Sequence, residues 1–495
     1  MSENPTAATT VARRAGRGLA WSTVSSLVLR MGNFGVGILV ARLIAPEQFG
    51  VFAVALTVQS VVLAVVELGL TAYLVRQGNI STHAPTATTV SVGLGAVLAL
   101  GMVGLAGPVA ALMGTEAAAP VIRVMAISLI ISALSTVPHA AMQRAFRQSA
   151  QFVVDGCGLV LNAVTVIVLV RAGFGAMSLA VASVVSLGLT CALQYWMTRT
   201  RPRFGFDRTV ATSLVRFGVP LAMANLLSWV VMNSAFVVVG WHSGPLLLGF
   251  YVLAFNMASW PMTSIGLALR VVALPAFSHL PPDRRAAALR PAVALSWSVA
   301  LLVGVLLSAL ASALIGIVYG EKWLPAAAAL TGLALFGAQR VLFDLLASFL
   351  IAAGAIRQVF VVQLVWLVAL IPGLLLGLSL GGLAGAAWAP AVVGVAVAVP
   401  AYLVAVRGQG VQLGPVVGAI VLPILVGLPT LLLGGVIADT LAARWLAVFA
   451  VGAVVTGIYG AVLFAWLHRQ VGAVRTITDV RLADDDPAHD MEVPA

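Results

Sequence analysis

The sequence predicts an all-α polytopic membrane protein of about fourteen transmembrane helices, arranged as two similar six-helix lobes plus two C-terminal helices. Three observations predict it. Hydrophobic residues fill 61% of the 495 positions and charged ones only 9%, with a mean hydropathy of +1.08, well outside soluble usage. The apolar residues fall into runs of about 20, long enough to cross a hydrocarbon core as helices and without the alternation of barrel strands. Finally, the Pro-Gly stretch Arg42–Ala55 returns at Gly244–Ala254, pairing Pro46 and Gly50 with Pro245 and Gly249. That pairing points to an internal repeat.

In chain order, residues 1–17 form a polar cytoplasmic tail ending in Arg13, Arg14 and Arg17. The apolar run from Gly18 has no clear cleavage site and reads as a signal anchor. Spans are expected at 20–43, 49–74, 87–112, 120–142, 152–171 and 174–197, which make an N-lobe over 18–200. A cytoplasmic linker at 201–211 leads to a C-lobe over 212–407, with spans at 212–240, 246–270, 292–318, 325–352, 358–379 and 382–405. Two extra helices occupy 408–468, at 415–437 and 444–467, before a cytoplasmic tail at 469–495 that reads as disordered, with Asp484, Asp485, Asp486 and Pro487 in it.

Charge tests this count independently. A net charge of +11 suggests nucleic acid in a soluble chain, but here the arginines gather in alternate loops. One set holds Arg144, Arg147, Arg199, Arg201, Arg203, Arg284, Arg357 and Arg407, whereas the opposite loops carry few bases along with Glu47, Glu116, Glu321 and Asp439. An even number of spans with both termini cytoplasmic satisfies this bias. Cys157 and Cys191 sit in apolar runs without C-x-x-C spacing and read as small buried hydrophobes.

The repeat runs beyond the hinge. Met113-Gly-Thr-Glu116 matches Tyr319-Gly-Glu-Lys322, and Ala145-Phe-Arg-Gln148 matches Ala355-Ile-Arg-Gln358, each pair after equivalent spans. Two halves of six spans enter the membrane in the same sense, so they should be parallel copies about an axis along the membrane normal.

With those motifs in order, the chain resembles the polysaccharide flippases, the Wzx-like exporters of the multidrug/oligosaccharidyl-lipid/polysaccharide (MOP) superfamily. The resemblance rests on Ala45-Pro-Glu-Gln-Phe-Gly-Val-Phe-Ala53, Glu67-Leu-Gly-Leu70, Leu248-Gly-Phe-Tyr-Val-Leu-Ala254, Leu274-Pro-Ala-Phe-Ser278 and Tyr319-Gly-Glu-Lys-Trp-Leu-Pro325. It implies MATE-like lobes around a cavity lined by the first, second, seventh and eighth helices. The implied cargo is an oligosaccharide on a polyprenyl diphosphate, moved across the bacterial plasma (inner) membrane by alternating access. One departure stands out: many relatives carry an acid in the middle of the seventh helix, where this chain has Met232-Asn233-Ser234.

Such a cargo needs buried cations, amides and aromatic platforms. Arg30 lies about ten residues into the first span, roughly 15 Å deep, and is the leading diphosphate ligand. An Arg30–Glu67 ion pair tying two helices together is the equal alternative. Asn33, Gln59, Asn225, Asn233 and Asn256 offer amides and Trp229 and Trp260 offer platforms, with helix-to-helix hydrogen bonding as the other reading. Arg270 ends the eighth span, where positive-inside anchoring competes with capture of diphosphate. Glu67, Arg340 and Asp344 are candidates for ion coupling or gating; Arg340 and Asp344, four apart on one helix, read first as an intrahelical pair.

Enzyme chemistry is not indicated. Lys322 lies outside any phosphate-binding loop, the six His form no metal motif, and no cofactor is expected. A glycan polymerase or glycosyltransferase normally needs a sizeable extracytoplasmic loop, and those loops are short here. A multidrug antiporter shares the fold but should favour acidic cavity residues over Arg30. A polymerase and glycosyltransferases remain possible partners of the predicted exporter.

Overall fold

The computed structural model describes residues 28–66, 70–76, 80–145, 147–278, 280–441 and 443–484, and within them the side chains of Asn225 and Arg270 are not described. The described chain is helical, with no strand among the described residues. The helices are α1 (28–43), α2 (Pro46–Val66), α3 (Leu70–Arg76), α4 (Ile80–Leu112), α5 (Ala118–Arg144), α6 (Gln148–Arg171) and α7 (Ala176–Thr198). They continue as α8 (Arg208–Ser278), α9 (Pro282–Ala309), α10 (Ala311–Val318), α11 (Ala326–Ala352), α12 (Ile356–Val393), α13 (Val399–Arg407), α14 (Leu413–Thr440) and α15 (Arg444–Asp484). Eleven segments among the described residues are long and apolar enough to cross a membrane.

That number meets the expected fourteen once the breaks are read. The 71-residue α8 is broken at Gly244, whose backbone (φ 76°, ψ −178°) leaves the helical region, and α12 is broken at Gly381–Gly382. Two spans therefore lie in α8, and two in the run from α12 through α13 to Arg407. The described part of α1 starts at 28 and is too short to count alone, so the first span is seen only in part.

The breaks are where the repeat places them. The register that pairs Pro46 with Pro245 pairs Ala45, one of the two non-helical residues between α1 and α2, with Gly244. Gly175, which starts α7, and Gly382, inside α12, share one left-handed conformation at φ 53° and ψ near −130°. Both require glycine, because a Cβ is strained there. Gly114 and Gly320, within the matching Met113 and Tyr319 motifs, are left-handed too.

The chain forms two compact units, 1–249 and 250–495. In the first, α5 is the most buried of the spanning helices and packs against α2, α3, α4 and α7. Gln48, at the start of α2, accepts a hydrogen bond from the Ala176 amide at 3.0 Å, supplying the cap that Gly175 cannot. In the second, α11 takes the same central place against α9 and α12. Its small residues allow the approach, since a Cβ on Gly332 would sit 2.6 Å from the Ala387 carbonyl oxygen. Where α12 passes into α13 through a π-helical turn at Gly394–Ala398, the buried Gln339 of α11 donates to the Ala391 carbonyl at 3.1 Å. The Ala391 carbonyl, just before that turn, also accepts from the Gly394 amide, so Gln339 adds a second bond that ties α11 to α12.

α14 and α15 pack on α9. The Trp297 indole donates to the Ile420 carbonyl at 2.9 Å and the Tyr459 hydroxyl to that of Ser298 at 3.1 Å. At the start of α15, Arg444 forms an ion pair with Glu321, which follows α10, its second contact being 3.0 Å long. Hydrogen bonding to that guanidinium holds the Glu321 carboxyl below its ordinary range. Two expectations differ from the structure. Helix α15 runs past Arg469 to Asp484 where an irregular tail was expected, and Cys157 lies exposed on α6, not buried like Cys191. An apolar run alone does not distinguish a core face from a lipid face.

Candidate functional site

Arg30 and Asn33 stand in the first described turns of α1, an otherwise apolar helix. Arg30 is half-buried and Asn33 exposed. The Asn33 Nδ2 donates to the Leu29 carbonyl one turn back at 2.9 Å, a local bond that satisfies the amide donor in an apolar setting. Gln59 of α2 behaves differently: its Nε2 donates to the Ser128 hydroxyl of α5, and Ser128 donates in turn to the Met125 carbonyl at 2.5 Å. Gln59 thus joins α2 to the central helix of its unit. Ser128 was not singled out in the sequence, because a lone serine in an apolar span carries little signal. Glu67 lies outside the described residues, and with it the expected Arg30–Glu67 pair.

On the first limb of α8, Asn225 has a helical backbone. Trp229 and Asn233 are both half-buried, and Asn233 Nδ2 donates to the Trp229 carbonyl at 2.9 Å. The repeat register pairs Trp229 with Arg30, so one helix position holds a cation in one half and an aromatic in the other.

In the second unit, Asn256 is exposed on the far limb of α8 and Trp260 is half-buried. The Trp260 carbonyl accepts from Thr263 at 3.0 Å and from Ser264 at 3.3 Å, bonds of the kind that bend a helix next to Pro261. Arg270 lies on the same helix.

Arg340 and Asp344 are half-buried on α11. The Arg340 guanidinium carbon lies 5.9 Å from the centre of the Phe255 ring, within cation–π reach. Asp344 lies against bare backbone, since a Cβ on Gly266 would be 3.3 Å from its Oδ2. The register that pairs Pro46 with Pro245 pairs Glu67 with Gly266. Where the sequence of the first half has an acid, the second half has a glycine that makes room for an acid from α11. Phe255 and Gly266 were not singled out in the sequence; the repeat register alone marks Gly266.

Among the described residues no group of three or more His, Cys, Asp or Glu is placed to hold a metal. These spans offer half-buried cations, amides and indoles, a set suited to binding anionic and hydroxyl-rich groups.

The fold defines the class: a multi-span helical membrane protein built like the lipid II flippase MurJ. The chain superposes on that protein in an inward closed conformation with a TM-score of 0.72, covering 90% of this chain and 99% of the other at 13% identity. The chain belongs to the polysaccharide biosynthesis protein family, whose profile matches residues 39–328. The succinoglycan biosynthesis transport protein ExoT of Rhizobium meliloti is 28% identical over 280 residues, 55% of this chain and 56% of that protein. The chain thus spans little more than half the length of that relative. The lipopolysaccharide biosynthesis protein WzxC of Escherichia coli is 22% identical over 394 residues, 74% of this chain and 76% of that protein. Together with the eleven apolar spans, these relatives imply an inner-membrane location.

Proposed function

We propose that the chain is a flippase that carries an oligosaccharide linked to a polyprenyl diphosphate across the bacterial inner membrane, exposing the cargo to the two sides in turn. The observation that carries this reading is Arg30, a half-buried cation within an apolar helix of a chain in the polysaccharide biosynthesis family. A cation in a span is costly unless it serves a partner or cargo. It matches the diphosphate of a lipid-linked glycan and repels the cationic drugs that an antiporter exports.

In this reading Arg30 binds the diphosphate. Asn33, Trp229 and Asn233 in the first unit, and Asn256 and Trp260 in the second, contact sugar hydroxyls and ring faces. Asn225 and Arg270 extend those contacts along α8, and Gln59 holds α2 in place beside them. Glu67, Arg340 and Asp344 are the charged groups through which an ion gradient or the membrane potential acts. The lobes correspond to 18–200 and 212–407, with 408–468 added and both termini cytoplasmic. The function is transport without a catalytic step, between glycosyltransferases that supply the cargo and a polymerase that consumes it.

Depleting the protein in its host tests the reading. The lipid-linked oligosaccharide should accumulate on the cytoplasmic leaflet, wild type should clear it, and Arg30→Ala at equal abundance should not. Clearance by Arg30→Ala would remove Arg30 from the mechanism.

A further inference from the structure

At one end of the first unit the start of α6, the end of α7 and the chain that follows enclose a cleft of about 690 Å³, lined by Arg147, Arg199 and Arg201 together with Tyr195, Trp196 and Thr200. No carboxylate lines it. Asp207, further along the chain, caps α8, its Oδ1 accepting from the Thr209 and Val210 amides at 2.8 and 3.1 Å.

Several features prepare this cleft for an anion. Arg147 spends one donor on the Met197 carbonyl at the end of α7, at 3.1 Å, and a guanidinium has four more. Helix α6 begins here with no side chain capping its first amides, and Ala150 of that first turn lines the cleft, which adds the positive end of a 24-residue helix. Arg199 is the one non-glycine residue with a left-handed backbone among the described residues, at φ 52°. Glycine is the ordinary occupant of that helix-ending position, so the strained conformation is kept with a guanidinium where a bare backbone would be easier. The irregular segment that follows is held in place: the Asp207 amide donates to Thr86 at 3.1 Å and the Gly205 amide to Thr89 at 3.1 Å.

The ligand also has an apolar part. Trp196 is 73% exposed on the cleft's rim, and Phe204 and Phe206 are exposed on the irregular segment beyond, the aromatic belt of a membrane–water boundary. We propose that this cleft binds the phosphate of an anionic lipid headgroup at the membrane surface. Guanidinium forks pair with phosphate oxygens in a way that a point charge does not, while the aromatics rest among the acyl chains. The proposal does not depend on the flippase reading.

The test uses the purified full-length protein, stripped of lipid, in native mass spectrometry with phosphatidylglycerol, phosphatidylcholine or inorganic phosphate. Phosphatidylglycerol should be retained about tenfold over phosphatidylcholine. Arg199→Gly combined with Arg201→Gln should erase that preference without lowering the thermal midpoint, because glycine relieves the left-handed strain. A purely structural role for Arg199 would not give that split. A version with Lys at both positions keeps the loop charge that sets topology and should fall between. If millimolar phosphate does not displace the lipid, the lipid headgroup is the ligand; if it does and binds in its own right, the site accepts free phosphate by the same chemistry. A wild type with no preference, or a double variant that keeps it, overturns the proposal.

Discussion

Gly50 and Gly249, which the internal repeat pairs with each other, meet backbone to backbone. A Cβ on Gly249 would lie 3.1 Å from the Cα and the amide nitrogen of Gly50, and one on Gly50 would lie 2.0 Å from the Pro245 carbonyl oxygen. The two copies of the Pro-Gly hinge are thus neighbours in space as well as in register. Neither conformation demands glycine; the closeness of the opposing chain does.

Gly50→Ala should therefore cost about 1 to 3 kcal/mol, the usual range for overpacking, and Gly50→Val more. Gly37→Ala in α1, where an added Cβ meets nothing within 4 Å, is the control and should be neutral or slightly stabilising by helix propensity. Thermal unfolding of the purified variants checks both. Equal midpoints for Gly50→Ala and Gly37→Ala would show that the hinges do not touch in the folded protein.

The Gln59–Ser128 bond should appear as a coupling between α2 and α5. In a double-mutant cycle of Gln59→Leu and Ser128→Ala, the coupling should be about 0.5 to 1.5 kcal/mol. Additive losses would mean that the pair is not formed. Asn33→Ala, which removes only a bond within its own helix, should change stability little, so any loss of transport in it belongs to cargo contact.

The Glu321–Arg444 pair sets a pH dependence. Because the folded carboxyl titrates below its unfolded value near 4.3, its contribution is full above that value and is lost as pH falls through the lower, folded one. Both partners are partly exposed, so the effect is small and sensitive to salt. Glu321→Gln should unfold slightly earlier at pH 7, and the difference from wild type should shrink as the pH falls through and below the usual carboxylate range. A difference that grows on acidification would reverse the sign and contradict this ion pair.

Trp297→Phe should loosen α14 from α9. The indole donor is lost while the Ile420 carbonyl, inside α14, keeps its place in the helical ladder, at a cost of about 0.5 to 1.5 kcal/mol. Limited proteolysis near α14 should quicken, and Tyr459→Phe should act likewise on α15. Unchanged cleavage in both would show that other contacts hold the last two helices.

The architecture was legible because membranes punish irregular backbone, so span length, loop glycines and charge placement all report on one geometry. Gly244 and Gly381 illustrate this, since each breaks a helix in a gap between two spans read from the sequence. Side-chain partnerships were far less legible. Arg30 and Asn33 stand out because polar residues are rare in spans. That Gln59 reaches Ser128, or that Asp344 rests on Gly266, depends on which faces meet, and periodicity is weak when every face of a helix is apolar. The arginines near Arg199 carry a loud topological signal that hides their convergence on one cleft.

The most direct measurement is translocation itself. The purified protein in liposomes, with a polyprenyl-diphosphate oligosaccharide confined to one leaflet, should deliver the glycan to the other, where an added glycosidase can reach it. Arg30→Ala should slow delivery about tenfold or more, the effect of losing one charged contact to phosphate. Liposomes that leave the glycan protected, yet expel cationic dyes, would contradict the account.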